Sequence, residues 1–135
     1  MSGAIVFISH NTVKISHNTV KDGRLEAFRD AFGDVAEALN AEKPGTVVYL
    51  AFADEGGSQV SVVHVFPDAD AMGQHLAGVQ ERMEKAVGFI ETTGYEIYGE
   101  PSQPVLEAMR GFAESEGVPL VVQADHLGGY LRVGR

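Results

Sequence analysis

Val60-Ser-Val-Val-His-Val-Phe-Pro-Asp-Ala-Asp-Ala-Met-Gly-Gln-His-Leu76 reads as a strand that turns at once into a helix. Apart from Ser61 and His64, the run Val60 to Phe66 is β-branched or aromatic, which suits a pleated surface. Pro67 lacks the N–H a sheet ladder needs and ends the strand, and Asp68 is a good N-cap for a helix starting at Ala69. Side chains alternate along a strand, so Val62, His64 and Phe66 share one face and Ser61, Val63 and Val65 the other. Both faces are mainly apolar, which predicts cover on both. In the helix, Met72, Leu76, Val79, Met83, Ala86 and Ile90 recur at alternating spacings of four and three, and His75 lies beside that stripe. His64 and His75 thus both point towards apolar surroundings.

The chain around this stretch has 135 residues, which suits one domain with a substantial core. A formal charge of −9, with no basic cluster, argues against an electrostatic footprint for nucleic acid or an anionic membrane. The absence of cysteine excludes disulfides, thiolate metal sites and a cysteine nucleophile. The apolar run at Ala4 to Ile8 has no charged lead-in and is too short for a signal peptide or a membrane span, so a cytoplasmic location is expected.

Ala4 to Ile8 reads as the first strand. It runs into an identical tandem repeat, Ile8-Ser-His-Asn-Thr-Val-Lys14 followed by Ile15-Ser-His-Asn-Thr-Val-Lys21. The period is odd, so in one continuous strand every side chain of the second copy would face opposite to its counterpart. Only one copy can keep the proper facing; the other is expected as a bulge, loop or strand extension. Two heptads rich in β-branched residues do not make a coiled coil.

After the turn signal Asp22-Gly23, residues Leu25, Phe28, Phe32, Val35 and Leu39 mark one face of an amphipathic helix. Glu42-Lys-Pro-Gly45 ends it, and Thr46 to Ala53 is expected as the second strand. Asp54-Glu-Gly-Gly57 makes a hairpin-type connection to the third, Ser58 to Phe66. The helix from Ala69 is expected to run towards Ile90, with Gly73, Gly78 and Gly88 weakening it and a break near Gly78 left open. Thr93-Gly94 precedes a fourth strand, Tyr95 to Gly99. Strand, helix, strand, strand, helix, strand is the ferredoxin-like βαββαβ order of an α+β protein with an antiparallel sheet. Beyond Pro101 lies an extension: a helix with Pro104 in its first turn and Gly117 at its end, then extended pieces at Pro119 to Gln123 and Tyr130 to Val133. Two long helices cover one face of a four-stranded sheet, so the second apolar face predicts a homodimer. A cavity left beside such a sheet would be mainly apolar with few polar groups, the usual character of a small-molecule pocket.

The ordered motifs Lys21-Asp-Gly-Arg24 then Phe28, Lys43-Pro-Gly-Thr46 then Tyr49, Val63-His-Val-Phe-Pro-Asp68, Gln74-His-Leu76 and Glu96-Ile-Tyr-Gly-Glu-Pro101 resemble the antibiotic biosynthesis monooxygenase family of dimeric α+β barrels. The resemblance spans roughly Ala4 to Pro101 and fits best with one heptad copy deleted. It implies a ferredoxin-like protomer, a homodimer and cofactor-independent oxygenation of electron-rich phenols or quinols, with molecular oxygen as co-substrate; some members degrade haem, which is not expected here. By position, His75 falls on a helix histidine frequent in the family and Tyr49 on its second-strand tyrosine. Phe66 stands where many members carry tryptophan, and Val62 where some polyketide-oxidising members carry a cavity asparagine. These two departures favour the alternative of a non-catalytic ligand-binding or stress-associated member.

As chemistry, His64 and His75 suit a base and an orienting donor that remove a phenolic proton, since imidazole titrates near neutral pH. Hydrogen-bonded core histidines are the competing reading. Tyr49, Val62, Phe66, Met72 and Asn18 are the expected substrate-binding residues, with Tyr49 equally readable as a core tyrosine and Asn18 as part of a solvated loop. No metal-ligand spacing, phosphate loop or nucleophile elbow occurs in the sequence.

Overall fold

The computed structural model describes residues 4–13, 22–78, 81 and 90–132. Five strands form one sheet in the order β2-β3-β1-β4-β5, with β1 Ile5–Val13, β2 Val48–Ala53, β3 Gln59–Phe66, β4 Ile90–Tyr98 and β5 Leu120–Gln123. The first four are antiparallel neighbours in the ferredoxin-like arrangement, with α1 (Asp22–Glu42) after β1 and α2 (Ala69–Leu76) after β3. The extension adds α3 (Gln103–Glu116) and then β5, which runs parallel to β4. The sheet is therefore mixed, and not antiparallel throughout as expected, because a helical crossover returns the chain in the same direction.

The first heptad copy lies in β1: Ile8 to Val13 continue the strand past its expected end. The second copy, with Asn18, lies outside the described residues. The ladder between β1 and β4 shifts register between His10 and Asn11, leaving Thr93 of β4 as the extra residue of a bulge. The bulge turns Thr92 and Ile90 to the same face as Tyr95 and Ile97, so that Thr92 Oγ1–H donates to Asn11 Oδ1 at 2.9 Å. β4 accordingly begins at Ile90 and not at Tyr95.

α2 is shorter than its apolar periodicity suggests. Asp68 caps it as expected, accepting the Ala71 N–H at 2.8 Å. At the other end Ala77 adopts an extended conformation and Gly78 has φ of 85°, a left-handed geometry that stops the helix. Of the predicted stripe, Met72 and Leu76 belong to α2, Ile90 opens β4, and Val79, Met83 and Ala86 fall outside the described residues. β2 starts at Val48 and not at Thr46, since the preceding residues form a turn in which the Thr46 N–H donates to Lys43 O. α3 has Ser102 as its N-cap, and Pro104 in its first turn and Gly117, φ 69°, at its end stand as the sequence indicates. Tyr130 to Arg132 pair with no described strand, and Val133 lies outside the described residues.

α1, α2 and α3 pack on one face of the sheet, in two clusters. Phe28 of α1 meets Val13, Val60 and Val62. α2 and α3 meet Ile5, Phe7, Phe66, Tyr95 and Ile97 through Ala71, Met72, Met109 and Ala113. The opposite face carries Val6, Ile8, Val63 and Val65 half-buried, and Leu50, Phe52 and Val121 exposed. No helix among the described residues is long and apolar enough to cross a membrane.

Candidate active site

The two clusters meet at His64 and His75. Alternation along β3 carries His64 to the helix-covered face beside Val62 and Phe66, where it is only 7% exposed. Its ring stacks on Phe7 of the adjacent strand at 4.7 Å, and its Nδ1 lies 3.0 Å from the carbonyl oxygen of the same residue. A carbonyl oxygen only accepts, so Nδ1 carries the proton and donates. In a neutral ring of this tautomer Nε2 is the nitrogen that carries the lone pair.

His75 reaches the same place from α2 and is 2% exposed. The two imidazoles stand nearly perpendicular, centroids 5.0 Å apart. Phe66 lies 5.2 Å from His75 and Tyr49 5.8 Å from it, while Tyr49 lies 5.2 Å from His64 and stacks on Phe32 of α1 at 4.6 Å. The pair is thus enclosed by aromatic rings.

His75 Nδ1 is 2.7 Å from Thr46 Oγ1, and the local sequence explains the contact. Gly45 packs so tightly against α2 that a Cβ there would sit 2.9 Å from the Cβ of Ala71. Only glycine allows this approach. His75 is one turn beyond Ala71 on the same helix face, so the residue after Gly45 comes within hydrogen-bond reach of it. Thr46 and Tyr49 also form part of the wall of a groove of about 350 Å³, completed by Val47 and by Ala36, Glu37, Leu39 and Asn40 of α1. That volume lies within the range of small-molecule sites, and the groove mixes apolar walls with a few polar groups.

Of the residues singled out by sequence, His64, His75, Tyr49 and Phe66 come together in one ring cluster. Val62 lies two residues from His64 in the α1 cluster, and Met72, fully buried, lies three residues from His75 in the α2 and α3 cluster. Sequence reasoning missed Thr46, Phe7 and Phe32. Thr46 had a signal, the small residue before it in Lys43-Pro-Gly-Thr46; Phe7 and Phe32 had only their apolar periodicity.

A second histidine environment occupies the uncovered face. His10 Nδ1 is 3.0 Å from Ser61 Oγ, His10 Nε2 is 3.3 Å from Glu96 Oε2, and Tyr98 O–H donates to Glu96 Oε1 at 3.1 Å. The His10 side chain is 41% exposed.

Among solved structures, MupZ from Pseudomonas fluorescens superposes with a TM-score of 0.67 at 18% identity over 94% of each chain, a share too large to leave out the α3 and β5 extension. SnoaB from Streptomyces nogalater, described as a cofactor-independent oxygenase, gives 0.58 at 17% identity over 76% of this chain and 97% of its own. A putative antibiotic biosynthesis monooxygenase from Bacteroides thetaiotaomicron gives 0.54 at 18% identity over 70% of this chain and 85% of its own. At these identities the likeness concerns the fold. No curated protein sequence matches the chain. The family model for antibiotic biosynthesis monooxygenases matches residues 13–86, from the end of β1 through α2 and both candidate histidines, and the chain belongs to that family.

Proposed function

We propose that the protein is a monooxygenase that oxidises a small, electron-rich phenol or quinol with molecular oxygen and needs neither flavin nor metal. Family membership supports monooxygenase chemistry, and the description of SnoaB as a cofactor-independent oxygenase supports the mode. The observation that carries the reading is the buried imidazole pair beside a groove of ligand size. His75 is the principal proton acceptor and His64 a second, its Nδ1–H directed at Phe7 O so that Nε2 is the accepting nitrogen. Tyr49 lines the groove beside the substrate, and the buried Phe66, Val62 and Met72 form the apolar backing around the imidazole pair.

Removing the O–H proton leaves an anion that gives up electrons to oxygen far more readily than the neutral phenol. In the overall reaction one atom of O2 enters the ring in place of hydrogen and the other leaves as water. The substrate loses its O–H and C–H hydrogens and becomes a quinone, and the four electrons that reduce O2 come from the substrate. The buried, ring-enclosed imidazole pair suits this sequence, because a proton acceptor there works with little competition from water.

The working unit is a homodimer joined through the sheet face the helices leave uncovered, where Leu50 and Phe52 of β2 are 50% and 59% exposed. Light scattering at micromolar concentration should give twice the monomer mass; a monomer alone would contradict this part. The chemistry is tested by oxygen uptake with purified, metal-free and flavin-free protein across a panel of phenols and quinols. Binding without oxygen consumption would instead identify a non-catalytic ligand-binding member of the family.

A further inference from the structure

His75 is nearly inaccessible and does not line the groove, whereas Thr46 does both jobs: its side chain bonds to His75 Nδ1 at 2.7 Å and it forms part of the groove wall. A ligand hydroxyl lodged in the groove therefore meets Thr46 before it meets imidazole. We infer that Thr46 is a proton relay, which takes the substrate's O–H proton at Oγ1 and passes its own hydroxyl proton to His75 Nδ1. This rests on the oxygenase reading above and supplies the step that connects a surface groove to a buried base.

The transfer balances. The substrate O–H bond breaks with its electron pair left on oxygen, a new O–H bond forms at Thr46 Oγ1, the original Thr46 O–H bond breaks, and an N–H bond forms at His75 Nδ1. The products are a phenolate or quinolate in the groove, an unchanged threonine and an imidazolium at His75. A hydroxyl suits this place because it donates and accepts at once. Its position is fixed from both sides, by the Thr46 N–H bond to Lys43 O at 2.9 Å and by the close approach of Gly45 to Ala71. Glu37 and Asn40 at the same groove add an acceptor-rich edge with no Lys or Arg among the described wall residues, which suits a neutral, hydroxylated ligand that arrives with its proton still attached.

The test compares wild type, Thr46→Val and Thr46→Ser for oxygen uptake, melting temperature and solvent isotope effect. Thr46→Val, nearly isosteric but without the hydroxyl, should lower kcat by roughly 10²-fold, the scale of a lost proton-transfer group, while KM changes little. Thr46→Ser should restore most of kcat. In the wild type, a proton inventory on kcat should curve, since two protons move together. If Thr46 were only structural, activity would follow the folded fraction in both variants and the inventory would be linear, which overturns the relay. Full kcat in a folded Thr46→Val protein overturns the relay and leaves His75 as a base reached directly. A wild-type protein that consumes no oxygen with any member of the panel overturns both the relay and the oxygenase reading.

Discussion

The same strands present two histidine environments, one on each face of the sheet, and they differ in surroundings more than in partners. On the uncovered face His10 has a hydroxyl on one nitrogen and a carboxylate on the other, an arrangement that looks ready for acid and base chemistry. It is also open to water, which screens the carboxylate and competes for every hydrogen bond. On the covered face the Nδ1 atoms of His64 and His75 face a carbonyl and a hydroxyl, with aromatic rings on several sides. Partner chemistry alone would favour His10. Burial, enclosure and a neighbouring groove favour the inner pair, because a proton acceptor in a dry site acts on its ligand without dilution by solvent.

The contrast is broken most severely by changes at the inner face. Phe66 is fully buried in the α2 and α3 cluster and packs against both inner imidazoles, so Phe66→Ala should cost about 3 to 5 kcal/mol in urea unfolding. Phe52→Ser on the outer face should leave the unfolding of the isolated protomer within about 0.5 kcal/mol and instead shift the monomer–dimer equilibrium. Equal destabilisation by both changes would show that the faces are not distinct in the way described.

Gly45→Ala probes the seam between the loop and α2. With a Cβ placed 2.9 Å from Ala71 Cβ, something must move, and overpacking of this kind costs roughly 1 to 3 kcal/mol. The Thr46 contact with His75 should lengthen as well, so turnover should fall by more than stability accounts for. A crystal structure or the His75 imidazole chemical shifts of the variant check this directly.

Much of this division is legible in the sequence. Alternation along Val60 to Phe66 places Val62, His64 and Phe66 on one buried face, and Pro67-Asp68 marks the start of α2. Gly78 marks a break point in the sequence, but the end of α2 at Leu76 is not legible, because Met83 and Ala86 continue the apolar period past it. Nor is the early start of β4, which depends on a bulge opposite the first heptad copy. The His75 partner is decided by how closely Gly45 approaches Ala71, a tertiary contact that no local pattern encodes. The apolar outer face is legible as apolar, but sequence patterns do not reveal that Ser61, His10, Glu96 and Tyr98 form a polar row across three strands.

Smaller effects sharpen the comparison at the edges. Burial first, and then the hydrogen bond and charge of Glu116, push the Tyr95 hydroxyl above its ordinary range. The unfolded chain loses this proton near the ordinary tyrosine value while the folded chain keeps it, so stability from this tie is present at neutral pH and falls as the pH rises above about 10. Tyr95→Phe should flatten that alkaline limb of the melting curve. On the exposed hairpin, N–H donation from Gln59 chiefly, opposed by desolvation and aided by hydrogen bonds from Ser58 and Gly57, holds Asp54 below the usual carboxylate range. The turn is therefore held at neutral pH and loosens only as acid protonates the carboxylate, which faster amide exchange at Ser58 and Gln59 would report.

The central claim is that the inner imidazole pair is the proton acceptor of an oxygenase, and the most direct measurement is oxygen uptake by folded His75→Ala protein with a quinol the wild type consumes. The account predicts that this variant keeps a cooperative melting transition while kcat falls by roughly 10²-fold or more. Undiminished kcat in a folded His75→Ala protein would contradict it.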